Sequence, residues 1–305
     1  MTIDLSTGRP FDTAAPANTD TPTRRLSTAA GFDVHLPGDP GYDEARLAWN
    51  RAVDQHPAAV AVPRSAHDVS RLVRLATEHG LRVAPQSTGH NAGPLVSRGL
   101  TDVVLATMSG LTEVSVDPVR RIARVGGGTL WEPAVTAAAD HGLAALHGSS
   151  PDVGITGYSL GGGLGWYGRA LGLAANHVTA AELVIGDGTI VRTDAEHDPE
   201  LLWALRGGGG SFGVVTALEF SLFDIATAYA GMMIFDISRA DEVLRRWAPW
   251  AAAAPDEVTT SFRILHLPPL PELPPFLSGR SVVVIDGAVL ASDDAADRML
   301  AELRA

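Results

Sequence analysis

The sequence contains no cysteine and few basic residues, and both deficits narrow the range of functions. Without cysteine the chain has no disulfide, no thiolate metal ligand and no cysteine nucleophile, which favours a reducing, cytoplasmic location. Lysine and arginine total 23 against 35 acidic residues, and the formal net charge of -12 leaves no cationic cluster for nucleic acid. The 10 histidines include no His-x-x-x-His pair, which disfavours a metal enzyme. No stretch reaches the ~18 apolar residues of a membrane span, so we expect a soluble protein with neither nucleic-acid nor membrane partners.

Patterning along the chain predicts an arm followed by two domains. Residues 1–37 are rich in Thr, Pro, Ala and Asp without periodicity, which predicts a disordered arm. Residues 38–225 open with strand and helix patterns and continue with paired strands, which predicts α/β subdomains of an α+β protein. Residues 226–305 follow the order strand, helix, strand, strand, helix and predict a second domain built on an antiparallel sheet.

Local signals mark several helix ends and turns. Ser65 is a predicted helix cap, with Asp68 three residues later. Thr129 and Glu132 have the spacing of a capping box and predict a second helix start. The pair at 187–188 predicts a two-residue hairpin turn between strands.

Glycine is abundant and clustered. Its 32 residues exceed the usual share of about 7%, and many fall in three clusters at 126–128, 161–165 and 207–210. Because glycine has no Cβ, the backbone there can approach a ligand closely, and its N–H groups can hold an anion without cations. An acidic chain of this kind suits a phosphate-bearing cofactor.

Two short motifs offer competing interpretations. Residues 157–161 match G-x-S-x-G, the nucleophile elbow that would make Ser159 the nucleophile of a serine hydrolase, but the glycines that follow are a poor helix start. Residues 163–168 match G-x-G-x-x-G, but no clear strand precedes them, so a Rossmann dinucleotide site is weakly supported.

A longer series of segments is more specific than either motif. Taken in order, these segments resemble the FAD-linked oxidases of the vanillyl-alcohol oxidase/p-cresol methylhydroxylase superfamily, in the berberine-bridge-enzyme-like branch. The resemblance runs from about residue 40 to the end of the chain and is most specific before residue 225. The segments are 63–69, the Gln-Ser-Thr-Gly-His-Asn loop at 86–91, the serine- and glycine-rich stretch 147–165, 172–178 and 202–216.

The resemblance implies a two-subdomain PCMH-type FAD-binding domain over 38–225 and a partial substrate domain over 226–305. It implies that the 86–91 loop cradles the pyrophosphate, that 150–163 runs along the flavin and that 213–214 contacts the adenine end. His90 is then the candidate for a covalent bond to the flavin, the alternative being a loop histidine hydrogen-bonded to backbone. Ser150 stands where some relatives have a second flavin-bonded cysteine. The implied cofactor-binding residues are Gln86, Ser87, Thr88, Gly89, His90, Asn91, Ser150, Asp152, Val153, Gly154, Gly157, Tyr158, Ser159, Gly161, Gly162, Gly213 and Val214.

The implied function is an FAD-dependent oxidoreductase that oxidises an alcohol or amine substrate by hydride transfer to flavin N5, with oxygen as acceptor. Relatives continue past the position that matches Ala305, so the substrate-domain sheet is expected to be incomplete and no catalytic residue is assigned. An incomplete sheet predicts self-association or a partner that completes the domain. A catalytically inactive flavin-binding remnant and a serine hydrolase through Ser159 stay open as alternatives.

Overall fold

The computed structural model describes residues 21–304, whose first part is built on a four-stranded sheet. The sheet order is β1-β2-β4-β3, with β2, β4 and β3 parallel and β1 antiparallel at the edge. Ser65 caps α3 by accepting a hydrogen bond from the Asp68 backbone N–H at 3.1 Å, as predicted. The elements are α1 (Pro22–Ala30), β1 (Asp33–His35), α2 (Tyr42–Ala45), β2 (Ala59–Val62), α3 (Ala66–Glu78), β3 (Arg82–Gln86), α4 (Gly93–Val96) and β4 (Val103–Thr107).

The prediction of a disordered arm up to residue 37 is wrong for residues 21–37. The Thr21 hydroxyl accepts a hydrogen bond from the Arg24 N–H and caps α1, which ends at Gly31 in a left-handed conformation. Leu26 in this helix is fully buried in the core of the four-stranded sheet, and β1 pairs with β2. These contacts with distant residues order a segment whose composition is polar. Residues 1–20 of the predicted arm lie outside the described residues.

The second part is a five-stranded antiparallel sheet with order β5-β6-β9-β7-β8. The predicted hairpin between β7 and β8 is present, but its loop has three residues, 186–188, between the hydrogen-bonded positions 185 and 189, and not the two predicted. Its core includes Trp131, Ile155, Leu183 and Leu218, all nearly or fully inaccessible to solvent. The elements are β5 (Val114–Asp117), β6 (Ile122–Gly126), α5 (Trp131–Ala139), α6 (Ile155–Leu160), α7 (Gly168–Leu171), β7 (Val178–Val184), β8 (Ile190–Asp194), α8 (Pro199–Gly208) and β9 (Val214–Ser221).

The predicted capping box at Thr129 and Glu132 is not formed. Helix α5 has Leu130 at its N-cap without a side-chain cap, and the buried Thr129 hydroxyl instead donates to the Glu113 carbonyl at 3.3 Å. The N–H groups of Trp131 and Glu132 donate to carbonyls at 153 and 151. A neighbouring chain segment therefore satisfies the helix start, so no side-chain cap is needed.

The third part is an antiparallel sheet with order β10-β12-β11, one face of which packs against two helices. Val283, Ile285 and Leu300 belong to that core. The proline-rich stretch 267–275 contains neither helix nor strand, as predicted. The boundary at 225/226 stays a prediction, and the first strand after it starts at Tyr229. The elements are β10 (Tyr229–Asp236), α9 (Ala240–Ala253), β11 (Val258–His266), β12 (Ser281–Val289) and α10 (Asp293–Arg304).

Within residues 21–304, every helix is too short or too polar to cross a bilayer.

Candidate functional site

A cavity of about 270 Å³ lies where the first two sheets meet, beside the carboxyl end of the parallel strand β3. Ligands of open α/β sheets bind at such strand ends because the loops there leave a crevice. The walls come from the ends of β3, β4, β6 and α8, from α6 and from the start of β9. Its lining is Pro85, Ser87, Met108, Gly127, Thr156, Gly157, Leu160, Gly161, Gly207, Gly208, Gly209, Gly210, Gly213 and Val215.

Two of the lining glycines show that the cavity has room for a ligand against the backbone. A Cβ added at Gly157 or Gly210 would meet no protein atom within 4 Å, and neither residue has a left-handed φ. Neither packing nor backbone conformation therefore requires glycine at these positions. What a side chain would take away is cavity space, which fits a ligand that approaches the backbone closely.

A buried hydroxyl in the same wall has no partner. Thr156 lines the cavity, and its Oγ1 is buried without a hydrogen-bond acceptor or donor in the described part of the chain. Buried hydroxyls in folded proteins are nearly always hydrogen-bonded. Thr156 therefore offers a polar contact that a polyhydroxylated or phosphorylated ligand can satisfy.

The loop 87–92 that follows β3 is held tightly in place. Gly89 has φ of +79°, and a Cβ there would lie 2.8 Å from Cβ of Ala48. The Trp49 N–H donates to the Thr88 carbonyl at 2.8 Å, and the Ser87 hydroxyl donates to the Gly128 carbonyl at 3.3 Å. The loop is thus fixed on one side to residues 48–49 and on the other to the first glycine cluster.

His90 stands on this loop in a specific environment. Its ring stacks on Trp49 with a centroid distance of 3.8 Å and an interplanar angle of 23°. Its Nε2 is buried without a hydrogen-bond partner in the described chain and lies 3.9 Å from Oδ1 of Asp152. Oδ2 of Asp152 accepts a 2.6 Å hydrogen bond from Trp49 Nε1. This arrangement differs from that of a loop histidine whose Nε2 is bonded to backbone.

The segment 150–162 passes close to the histidine loop. A Cβ at Gly154 would lie 2.4 Å from Oγ of Ser87, so the two segments meet where only glycine fits. Gly157 and Gly161 line the main cavity, whereas Ser150 lies outside it, in a pocket with Trp131 and His147. Of the predicted flavin-contacting residues in this segment, two therefore line the main cavity, and Gly154 and Asp152 lie beside the histidine loop.

The remaining predicted residues lie at different depths. Val153 packs against the core of the five-stranded sheet, and Gln86 is buried at the end of β3. Asn91 is exposed, and Gly162 has open space around it with φ of +118°.

Ser159 and Tyr158 have environments that argue against roles as a nucleophile or a base. Ser159 is 1% exposed and lies inside α6, not on a sharp turn after a strand, so the nucleophile elbow of a serine hydrolase is absent. Burial raises the pKa of Tyr158 to about 12, which keeps its phenol neutral at physiological pH. Its hydroxyl is also buried and unpartnered among the described residues.

A second cavity of about 350 Å³ continues from the first and shares Pro85, Gly210 and Gly213 with it. Val214 lines this extension, together with residues of α3 and β3. The two predicted adenine-end residues, Gly213 and Val214, thus border this adjoining groove.

A third cavity, of about 200 Å³, lies between the α6–α7 region and the three-stranded sheet. Asp286 in its wall is 4% exposed, and its carboxylate accepts a hydrogen bond from Ser261 and pairs with Arg263. Arg169 donates to the carbonyls of Ala251 and Ala254 and so joins the two regions. The lining is Ser149, Leu164, Gly165, Trp166, Thr259, Thr260, Ser261, Arg263, Asp286 and Gly287.

Comparison with known proteins identifies the fold around these cavities. Residues 57–194 match the family model described as "FAD binding domain". Berberine-bridge-enzyme-like protein 1 of Physcomitrella patens has a solved structure that superposes on 93% of this chain and 59% of its own, with a TM-score of 0.80 and 26% identity. Residues 57–194 are thus an FAD-binding domain, and the fold of the chain is that of the vanillyl-alcohol oxidase/p-cresol methylhydroxylase superfamily. The PCMH-type fold and the FAD cofactor predicted for it are thereby confirmed.

Two further relatives of this FAD-binding chain have named activities. (R)-6-hydroxynicotine oxidase of Paenarthrobacter nicotinovorans is 34% identical over 193 residues, which are 63% of this chain and 42% of that protein. A structure of the glucooligosaccharide oxidase of Acremonium strictum, a study of its 6-S-cysteinyl, 8α-N1-histidyl FAD, matches with a TM-score of 0.76 and 26% identity, covering 93% of this chain and 57% of that one. The chain thus spans about two fifths of the curated relative's length and under three fifths of the solved chain.

Sequence reasoning missed several residues of the candidate site. Met108 and Thr156 line the main cavity, and Trp49 stacks on the candidate histidine. The glycine cluster at 207–210 is one of the three that predict a phosphate-bearing cofactor, but none of its residues is among the implied cofactor-binding residues, and all four line the main cavity. The contact of Trp49 with His90 joins residues 41 positions apart, and no local pattern indicates it.

Proposed function

We propose that this chain is an FAD-dependent oxidoreductase that oxidises an alcohol or amine. The observation that carries the proposal is the glycine-lined cavity, where Gly157 and Gly210 leave backbone-adjacent space that the protein itself does not use. The named relatives are oxidases of a hydroxynicotine and of an oligosaccharide, which supports this reaction class.

The chain's own residues suggest how the cofactor would lie. Ser87, Thr156 and the amides of the glycine clusters would hold the phosphates and the ribityl chain, because they present polar groups without fixed charge. Gly213 and Val214 would border the adenine in the adjoining groove. His90, on the loop after β3, would face the flavin end. When bound, FAD would supply hydride acceptance at N5 and transfer of the electrons to oxygen, with release of hydrogen peroxide.

The third cavity is the proposed substrate cleft. Its wall combines hydroxyl groups of Ser149, Thr259 and Ser261 with the Trp166 indole. The single buried carboxylate, Asp286, is already paired with Arg263 and is not free to balance a substrate cation. The lining therefore suits a neutral, hydroxyl-bearing substrate better than a charged amine. No general base is assigned to this cleft.

The experiment that tests the function is a reduction assay of the FAD-loaded protein. Under anaerobic conditions, sugars, simple alcohols and amines are added separately and the flavin absorbance near 450 nm is followed. We expect bleaching with at least one hydroxylated substrate and peroxide on readmission of air. A protein that binds FAD and bleaches with none of the three classes would be the inactive remnant.

Attachment of the flavin through His90 is a separate part of the proposal. It is tested by acid precipitation of the loaded protein, where a covalent flavin stays in the pellet. Pellet flavin that disappears in His90→Ala supports the tether, whereas flavin released to the supernatant from the unchanged protein contradicts it. Ser150 carries no thiol, so a second, thioether bond is not expected.

The remaining parts of the proposal concern location and assembly. We propose a cytoplasmic protein, from the absence of cysteine. The strands β10 and β11 are the edges of the three-stranded sheet, which suits pairing with a second copy or with further polypeptide. Size-exclusion chromatography with light scattering tests self-association directly.

A further inference from the structure

Three observations converge on one carboxylate beside the candidate tether. Oδ1 of Asp152 lies 3.9 Å from Nε2 of His90, and Oδ2 accepts a 2.6 Å hydrogen bond from Trp49 Nε1. Trp49 in turn stacks on the imidazole ring at 3.8 Å. We propose that Asp152 is a positioning residue that prepares His90 for covalent attachment to FAD. This inference rests on the covalent attachment of FAD to His90 in the proposed function.

The contacts restrict the imidazole in two ways. Stacking on the Trp49 indole fixes the plane of the ring. The indole Nε1 donates a hydrogen bond to Asp152, and the backbone N–H of Trp49 donates to the Thr88 carbonyl. The carboxylate oxygen on the Nε2 side favours a proton on that nitrogen, as carboxylates do for histidines whose other nitrogen is used as a ligand or nucleophile. Nδ1 then carries the free electron pair.

His90 Nε2 has no direct hydrogen bond among the described residues. It is buried and unpartnered within residues 21–304, so a proton placed there has the Asp152 carboxylate as its nearest charged group. A separation of 3.9 Å is too long for a hydrogen bond but still gives a favourable charge interaction. The arrangement therefore has its main effect when the ring becomes cationic.

Attachment makes the ring cationic, which gives Asp152 its role. A bond forms between Nδ1 and the flavin 8α-carbon, and one C–H bond of the 8α-methyl breaks. The electron pair of that C–H bond stays in the flavin, which is reduced by two electrons. The methyl proton and the Nε2 proton are released, and dioxygen, the acceptor in the proposed function, takes the electron pair and two protons to give hydrogen peroxide. Asp152 stabilises the positive charge that develops on the ring before Nε2 loses its proton.

The test measures attachment, not turnover. The 305-residue chain is produced in riboflavin-starved cells and mixed with FAD. Samples are acid-precipitated over time, and pellet flavin is compared with total bound flavin. We expect Asp152→Asn to bind FAD as the unchanged protein does but to attach it at least about tenfold more slowly, the range seen when a group that orients a histidine is removed. Asp152→Glu should recover most of the rate, because the carboxylate is restored.

Control variants separate the two functions of the carboxylate. Trp49→Phe keeps an aromatic ring against His90 but loses the hydrogen bond to Asp152, and we expect an intermediate rate. Asp241→Asn makes the same substitution on the exposed helix α9, where the side chain pairs with Arg245, and should attach FAD at the unchanged rate. His90→Ala has no imidazole to attach FAD and gives the background level of flavin in the pellet.

Each outcome is decisive. Attachment by Asp152→Asn at the unchanged rate, with none in His90→Ala, overturns the role of Asp152 and keeps the tether. Loss of FAD binding in both Asp152→Asn and Asp152→Glu overturns it as well, since the residue would then be needed for binding or folding. Absence of pellet flavin in the unchanged protein would overturn both the covalent attachment through His90 and the role of Asp152. FAD that was bound and is released to the supernatant would still support the proposed oxidoreductase.

Discussion

Gly157→Ala should raise the free energy of unfolding of the FAD-free protein and weaken its binding of FAD. Gly157 lies in the middle of α6, and the added methyl group would meet no protein atom within 4 Å. Replacing a helical glycine by alanine lowers the conformational entropy of the unfolded chain, and the expected gain is about 0.5–1 kcal/mol in the free energy of unfolding of the FAD-free protein. The added methyl group displaces no side chain, so no packing strain offsets this gain in stability.

The same methyl group occupies space in the cavity that we assign to FAD. Crowding a packed contact by a methylene-sized group costs about 1–3 kcal/mol, which weakens FAD binding by roughly 5- to 150-fold because 1.4 kcal/mol is a factor of ten. Urea unfolding of the FAD-free protein and calorimetric titration with FAD measure the two effects separately.

Gly231→Ala is the matched control. A methyl group added at Gly231 would likewise meet no atom within 4 Å, and this glycine has no left-handed φ, but it lies on β10 and away from the cavity. FAD affinity should be unchanged in this variant. If Gly157→Ala also binds FAD as tightly as the unchanged protein, the glycine-lined cavity is not the cofactor site and the reasoning fails.

Three further predictions concern stability. Trp131→Ala removes the largest fully buried side chain of the described residues, which packs edge-on against Tyr158 and Phe220. We expect urea titration to show a free energy of unfolding lower by about 3–5 kcal/mol. A decrease under about 1 kcal/mol would contradict the described core. Leu26→Ala should cost about 2–5 kcal/mol because Leu26 is fully buried, whereas a disordered arm would give no change. Burial raises the pKa of Tyr158 to about 12 in the folded state, above the ordinary value of about 10. The neutral phenol therefore contributes fully to the free energy of unfolding below about pH 10. That contribution is lost as the pH rises towards 12. Tyr158→Phe should flatten that alkaline decline in a series of urea titrations; an unaltered decline would show that other groups cause it.

Elements with local signals were predictable from the sequence, and those set by distant contacts were not. Ser65 caps α3 because its hydroxyl reaches an N–H three residues away, and the hairpin at 185–189 closes through its own turn residues. Thr129 had an equally good local signal, but carbonyls from 151 and 153 accept the N–H groups at the helix start instead. Helix α1 was missed for the related reason that Leu26 is buried by residues far along the chain.

The candidate site divides in the same way. The loop at 86–91 and the glycine-rich stretch are contiguous in sequence, so their resemblance to FAD-binding segments was readable. The partners of His90 come from positions 49 and 152, and the unsatisfied hydroxyl of Thr156 becomes meaningful only once the wall of the cavity is assembled. Such partnerships depend on how the two sheets pack, which composition and periodicity do not encode locally.

Val184 and Val214 belong to the five-stranded sheet but are buried in the core of the four-stranded one. The two sheets therefore share a seam of apolar contacts, and the proposed cofactor groove runs along it, with Val214 in its wall. Moving either sheet into a relative without the other would remove the partner surface that buries these apolar contacts. In protein engineering the two sheets and the groove between them form a single exchangeable unit.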